Sequence, residues 1–372
     1  MIYFYYLMAI SLAIYFITIF FFIVGLFIKS KSSSLTKKVP GVSVIICVKN
    51  SEKSVSNLIN DLKSQIIEID HEFIIVDDNS TDKTKQYILN NIKEYPRFKY
   101  TKSQFGNKNL SYKKRALDAG IKMSKYEYLL FTDIDCRLNN RWIDSMMKNY
   151  ENNSNYIIGC SIISNPKTLS SYFQMIDYNM LMISSYASCN LGIPLACTGQ
   201  NQSYEKKLYK SIDGFNSINT LIQGDDSIYL QLLKNQNHLN ATFSIDKNSF
   251  VKSKAHHNWK NLLLQRIRWA GDANIMWKYN KLFYLIIVST FLTNLFFMVT
   301  PFLLFESLYL IIIFFSIKFI LEFLLYFFGI KKMYQKFNFL NFIYWFIVHP
   351  PYVVLMGILS FFSPIFGWRE SS

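Results

Sequence analysis

The first 28 residues, Met1 through Ile28, contain no charged side chain. A stretch of that length can span a bilayer. It lacks the basic n-region and the small-residue cleavage site of a signal peptide, so a retained transmembrane helix is expected. The five cysteines, Cys47, Cys136, Cys160, Cys189 and Cys197, include no C-x-x-C pair. That leaves a zinc site without support and points to free, mostly buried thiols. No G-x-G-x-x-G follows the first strand-like run, which argues against a dinucleotide fold. The formal net charge is +15, yet the lysines are scattered, with no basic arm and no nucleic-acid motif. The excess fits proximity to lipid better than a nucleic-acid partner. Internal repeats and low-complexity segments of consequence are also absent.

What is present is apolar and unevenly spread. Hydrophobic residues make up 51% and aromatics 17% of the 372 residues, above what a soluble domain needs. Three further apolar stretches, Leu282–Leu304, Leu308–Phe328 and Phe342–Phe362, lie towards the C-terminus. Lys318 and Glu322 interrupt the second at i and i+4, a spacing that lets them pair. Pro350 and Pro351 are expected to kink or split the last helix, with a re-entrant segment as the alternative. Lys29, Lys31, Lys37 and Lys38 follow the first span, and Lys331, Lys332 and Lys336 lie between the third and fourth. The connection Thr300–Glu306 has no Lys or Arg. The positive-inside rule then puts the N-terminus outside and the large polar region in the cytoplasm. The expected plan is an N-terminal transmembrane helix (1–29), a linker (30–40), an α/β domain with an interfacial helix (41–275) and a C-terminal transmembrane region of about three helices (276–372).

Between the spans the pattern alternates. Val42–Val48, Phe73–Val76, Phe98–Lys102 and Tyr128–Thr132 read as strands. Val55–Gln65, Asp82–Ile92, Lys113–Met123 and Trp142–Tyr150 read as helices, the second capped by Ser80 or Thr81. This alternation argues for a parallel sheet with helices on both faces. Residues 156–255 are less regular, with one helical candidate at Leu169–Met182 and a polar loop at Cys197–Ser203. Residues 259–278 return to helix. Two acidic pairs leave buried strands, Asp77-Asp78 and Asp133-Ile134-Asp135, and a third, Asp225-Asp226, lies downstream. Open α/β sheets bind ligands outside the carboxyl ends of their strands. A divalent cation is the cheapest way to tolerate such charge, so the acids suggest a metal-and-diphosphate site.

These residues carry a resemblance. Val42-Ser43-Val44-Ile45-Ile46 and Ile75-Val76-Asp77-Asp78-Asn79-Ser80-Thr81-Asp82 are followed in order by Lys113-Lys114-Arg115-Ala116-Leu117 and Phe131-Thr132-Asp133-Ile134-Asp135. Cys197-Thr198-Gly199-Gln200-Asn201, Gly224-Asp225-Asp226 and Gln265-Arg266-Ile267-Arg268-Trp269 complete the series. Together, over about residues 41–275, they resemble a family 2 glycosyltransferase. The last is similar to the Q-x-x-R-W signature of membrane-embedded cellulose and hyaluronan synthases. The resemblance implies a GT-A fold, a Rossmann-like mixed sheet that binds a nucleotide-sugar, flanked here by transmembrane helices.

It also implies roles. Asp77 and Asp78 would meet the nucleotide, Asp77 at the uracil ring; the alternative is a turn or helix cap. Lys113 would lie near the diphosphate, although Lys114 and Arg115 compete for that place. Asp133 and Asp135 would face a Mg²⁺ or Mn²⁺ shared with the donor phosphates, Asp135 most directly. Asp226, with Asp225 beside it, would supply the general base; here Gly-Asp-Asp stands where many synthases have Thr-Glu-Asp, and a cap is again the alternative. Arg268 would pair with the diphosphate, and Gln265 and Trp269 would meet the acceptor; the alternative is interfacial anchoring. Gly199 falls in the acceptor loop, with a tight turn as its simpler use.

The expected protein is an inverting transferase in a bacterial inner membrane with its catalytic domain cytoplasmic. It would move sugar from a nucleotide-sugar, UDP-linked, to a lipid-linked or saccharide acceptor, with export or polymerisation subunits as candidate partners. Four helices are few for a translocation channel, which favours single addition over a processive polysaccharide synthase. An inactive scaffold and a nucleotidyltransferase are the remaining alternatives.

Overall fold

The computed structural model describes residues 2–28, 38–236, 239–303 and 308–365. Most of the expected linker, 30–37, lies outside them, as do Lys29 and residues 304–307. The chain begins with α1 (Ile2–Gly25), then β1 (Gly41–Val48), α2 (Val55–Lys63), β2 (Asp70–Asp77), α3 (Thr84–Ile92) and β3 (Phe98–Lys102). It continues with α4 (Tyr112–Met123), β4 (Tyr128–Asp133), α5 (Trp142–Met147), β5 (Tyr156–Gly159), β6 (Ser161–Ser164) and α6 (Leu169–Asn190). Next come β7 (Gln202–Glu205), α7 (Lys206–Ser211), α8 (Ser227–Asn235), β8 (Ala241–Ser244), β9 (Val251–Lys254) and α9 (Trp259–Ile275). The last helices are α10 (Lys281–Leu303), α11 (Leu308–Lys332) and α12 (Phe339–Leu359).

Two compact units result. One contains the sheet. The other gathers α1, the segment Asn165–Ile193 and the described residues from Ala255 to Ile365. The contiguous 41–275 division therefore differs from the packing, because α6 and α9 pack with the apolar helices. Their contacts explain it: Phe173 of α6 meets Trp259 of α9 at 5.3 Å and Tyr352 of α12 at 4.8 Å between ring centroids. Asn190 donates to the Gly25 carbonyl at the end of α1.

In the sheet unit the strand order is β3-β2-β1-β4-β7-β5-β8, with β6 and β9 forming a separate pair. β3, β2, β1 and β4 run parallel. β7 runs antiparallel to both β4 and β5, so the sheet is mixed rather than parallel throughout. Its sequence, Gln202-Ser203-Tyr204-Glu205, has no apolar alternation, yet all four residues are buried. Their polar atoms are satisfied individually: Gln202 takes the Tyr156 hydroxyl, Ser203 donates to the Leu129 carbonyl, and Glu205 pairs with Lys207. Period-2 alternation puts Val42, Val44 and Ile46 of β1 in a core with Leu58, Ile59 and Leu62 of α2. Ile45, on the opposite face, meets α4 at Gly120. Helix α3 starts two residues later than expected. Ser80 and Thr81 are occupied by Asn50, and Asp82 accepts from the Thr84 N–H instead.

Among the described residues, the second unit holds four helices long and apolar enough to cross a membrane: Tyr5–Gly25, Lys281–Phe302, Tyr309–Lys332 and Phe339–Ser363. Lys318 and Glu322 pair as expected, at 2.8 Å and almost fully buried, and Tyr15 of α1 donates to Glu322. Helix α12 runs as one helix through Pro350 and Pro351, so of the expected kink or split the split is not found. A buried stripe, Phe342, Trp345, Phe346, Pro350 and Val354, holds it; that packing outweighs the hydrogen bonds that two prolines remove.

The approach of α4 to the sheet gives a test. A Cβ at Gly120 would lie 2.5 Å from Ile45 Cγ2 and 3.1 Å from Val76 Cγ2. Gly120→Val should cost about 1–3 kcal/mol through overpacking, seen as a lower midpoint in urea unfolding of the solubilised protein. An unchanged midpoint would show that α4 does not pack as described.

Candidate active site

The parallel registers bring two of the acidic pairs level. Val48 of β1 pairs with Asp77 of β2, and Cys47 of β1 pairs with Asp133 of β4. Both acids therefore emerge at the carboxyl edge of the sheet, one on either side of β1. The third pair reaches the same edge by a loop, for Gln202 of β7 donates to the Asp225 carbonyl.

Lys113, in the first turn of α4, joins these pieces. Its Nζ lies 2.8 Å from Asp133 Oδ1 and 3.3 Å from Asp225 Oδ2, and its side chain is only 14% exposed. Burial works to lower the ammonium pKa, but Asp133 and Asp225 outweigh it and hold it well above the ordinary lysine value. The competition among three consecutive cations is resolved by helix geometry, which points neighbours about 100° apart. Lys113 faces the acids. Lys114 donates to the Leu221 and Gln223 carbonyls. Arg115 donates to the Gln104 carbonyl.

Asp226 caps α8, its side chain accepting from the Ser227 N–H, and its Oδ2 accepts from the Gly199 N–H at 3.2 Å. The cap alternative is thus realised, and the carboxylate faces the cluster as well. Burial, reinforced by the charge of Asp225, pushes its pKa up to about 6. Gly199 does not have the positive φ of a tight turn, unlike Gly224 at +101°. Close approach is its reason: a Cβ there would lie 3.2 Å from Lys113 Nζ and 3.5 Å from Asp225 Oδ2.

Asp77 is buried and engaged on both oxygens, by the Ser80 N–H at 2.9 Å and the Tyr100 hydroxyl at 2.8 Å. Asp78 lines a cavity of about 350 Å³ together with Lys49, Asn79, Lys108 and Arg115. The Arg115 Nε is buried without a hydrogen-bond partner. Of the pair, Asp78 lines the open cavity, and Asp77, expected at the uracil ring, holds the turn after β2 through the Ser80 N–H. Cys47, one residue before the end of β1, lies beside this cluster, and burial pushes its thiol up, which disfavours a thiolate.

Asp133 and Asp135 were expected to hold a divalent cation. Among the described residues no group of three or more His, Cys, Asp or Glu side chains is gathered around a metal position. Two hard carboxylates flank the β4 turn, with a lysine ammonium already drawn to one of them. That donor set suits Mg²⁺ or Mn²⁺ provided phosphate oxygens complete the shell.

Gln265, Arg268 and Trp269 lie on α9 in the other unit, at the one-face spacing expected. The structure adds Arg266, which sequence reasoning passed over. It is 4% exposed, pairs with Asp177 of α6 at 2.8 Å, and stacks over the Trp269 ring at 4.3 Å. Burial pushes the Asp177 carboxyl up despite that pairing. The Gln265 Oε1 is buried without a hydrogen-bond partner. The site therefore unites Lys113, Asp133, Gly199, Asp225 and Asp226, with Asp77 level on the sheet edge.

Residues 43–213 match the family model Glycosyl transferase family 2. That match falls largely within the sheet unit, whose mixed α/β architecture is a GT-A fold, and makes residues 43–213 similar to family 2 glycosyltransferases. The chain is 38% identical over 124 residues to poly(ribitol-phosphate) beta-N-acetylglucosaminyltransferase TarP of Staphylococcus aureus (strain N315). That match covers 32% of this chain and 36% of TarP, about a third of the relative's length. The fold is similar to the mannosyltransferase PcManGT from Pyrobaculum calidifontis in complex with GDP-Man and Mn²⁺, with TM-score 0.57 and 13% identity, covering 96% of this chain and 98% of that one. S. aureus TarS 1–349 in complex with UDP aligns at TM-score 0.42 and 18% identity over 70% of this chain and 71% of that one.

Two outcomes are expected. Gly199→Ala should lower transfer by about 10-fold or more through displacement of Lys113, with an unchanged unfolding midpoint; full activity would show that the close approach is not needed. The resemblance implies Asp226 as the general base; a base must be deprotonated to act, and the Asp226 pKa is raised to about 6. Activity should then be present above that pH and fall as pH drops through it in a pH–rate profile of kcat/KM; an acid limb below pH 4 would contradict the assignment.

Proposed function

We propose that the protein is a membrane-bound, inverting glycosyltransferase that moves a sugar from a UDP-sugar to a lipid-linked or saccharide acceptor. The observation that carries this reading is the Lys113 ammonium held between Asp133 and Asp225. One group links the strand-end acids to the acids beside the base. Asp226 removes the proton of the acceptor hydroxyl as that oxygen attacks the anomeric carbon. The bond from that carbon to the diphosphate breaks, and the nucleoside diphosphate leaves with its electrons. A base with a pKa near 6 is matched to neutral pH. Asp225 keeps Lys113 in place, and Lys113 offers positive charge to the departing diphosphate.

Asp133 and Asp135 would hold the Mg²⁺ or Mn²⁺, which when bound draws off charge developing on the leaving group. Asp78 reads the nucleotide, with Asp77 holding its turn. By the resemblance alone, Arg268 is assigned to the diphosphate and Gln265 and Trp269 to the acceptor, with Gly199 in the acceptor loop. The Q-x-x-R-W spacing supports kinship with membrane synthases, while four apolar helices favour single addition over a processive synthase. The TarP name favours an N-acetylhexosaminyl donor and a β product. The lysines in the last turn of α11 and those that follow α1 in the sequence support a cytoplasmic domain on a bacterial inner membrane.

The test is nucleotide release by membranes containing the protein, across UDP-, GDP- and dTDP-sugars with Mg²⁺ or Mn²⁺. One donor should be used, and Asp226→Asn should lower release by about 10²–10⁴-fold with donor binding kept. Asp135→Ala should weaken donor binding only when metal is present. A fully active Asp226→Asn removes Asp226 as base, and an equal binding loss in chelator removes the metal role of Asp135.

A further inference from the structure

Lys114 is 1% exposed, which is unusual for a lysine unless its charge is answered. Its Nζ donates to two main-chain carbonyls, those of Leu221 and Gln223. These residues belong to the loop that delivers Gly224, Asp225 and Asp226. The loop leaves the chain at Ile218, whose carbonyl accepts from the Leu221 N–H, and it re-enters regular structure at α8, where the Gly224 carbonyl accepts from the Tyr229 N–H. Between these points it has no strand or helix of its own. Gly224 carries a φ of +101°, a sharp reversal that only helps if both flanks are held.

Adjacent lysines on the first turn of α4 therefore act on the same loop in different ways. Lys113 meets the Asp225 carboxylate, and Lys114 holds the main chain just before it. The helix that carries both is seated on the sheet at Gly120, against Ile45 and Val76. A buried ammonium bonded to carbonyl dipoles is a strong, charge-assisted tie. It fixes backbone without offering a negative charge that would compete for Lys113.

We infer that Lys114 is a positioning residue: by clamping the Leu221 and Gln223 carbonyls it sets where Asp225 and Asp226 stand relative to Lys113 and the β4 acids. This rests on the reading of Asp226 as base. Lys114 itself touches neither donor nor acceptor. A shift of about 1 Å in a reacting group can cost about 100-fold in rate, so kcat should be sensitive to Lys114 while nucleotide affinity is not.

The experiment compares wild type, Lys114→Met and Lys114→Arg as full chains in detergent. Transfer kinetics, UDP binding and hydrogen exchange over residues 218–226 are measured on each. Lys114→Met should lower kcat by about 100-fold, leave the UDP Kd within about threefold, and speed exchange in that segment by about tenfold or more while β1 and β4 stay protected. Lys114→Arg should recover most of the loss. If Lys114→Met does not fold, Lys114→Gln, which keeps an amide donor for one carbonyl, is held to the same outcomes. An unchanged kcat, a loss of UDP affinity in step with kcat, or unaltered exchange over 218–226 would each overturn the proposal. A wild-type protein that transfers no sugar fails the functional reading itself, and the exchange result still judges the clamp.

Discussion

One ammonium organises this site. The Lys113 Nζ stands between a carboxylate from the end of β4 and one from a loop about ninety residues further along the chain. Without it, Asp133, Asp225 and Asp226 would concentrate negative charge in a half-buried space. Partnerless buried charge is among the most expensive arrangements a fold can carry. The lysine answers that charge and leaves one of the acids, Asp226, with a pKa near neutrality. The raised value arises from burial first and the neighbouring Asp225 second, so it is a property of the cluster rather than of Asp226 alone.

The rest of the sheet unit serves this arrangement. Strand β1 aligns Asp77 and Asp133 on its two sides, and the packing of Gly120 fixes the helix that supplies the lysines. Gly199 leaves room for Lys113 and Asp225, which lie 3.2 Å and 3.5 Å from where its Cβ would be. The second unit is organised by a different rule. Two of its charge pairs, Lys318 with Glu322 and Arg266 with Asp177, are buried together, as an apolar bundle demands.

Much of this was legible in the sequence. Short apolar runs ending in Asp announced β2 and β4, because a fully buried strand leaves no polar alternation to confuse it. Strand β7 was not legible. Gln202, Ser203 and Glu205 are polar and buried, and only their cross-chain partners reveal why that is tolerated. The turn after β2 misled in a different way. Ser80 and Thr81 look like helix caps, but Asn50 takes both, a contact thirty residues away that no local pattern encodes. Lys113, Lys114 and Arg115 were seen as a group, yet only the phase of α4 says which one meets the acids. Arg266 was hidden between two residues of a recognisable motif. Its burial follows from Asp177 on α6, a helix whose membership of the apolar unit is decided by packing rather than by position in the chain.

The central claim is that Lys113 neutralises the acids and thereby holds down the pKa of Asp226, the proposed base. The most direct measurement is the pH–rate profile of Lys113→Met beside wild type, followed by nucleotide release. The Lys113 charge lowers the Asp226 pKa, so its removal should move the acid limb upward from about 6, with a fall in the pH-independent rate. A profile that keeps the wild-type limb would contradict the account, because the ammonium would then have no hold on the base.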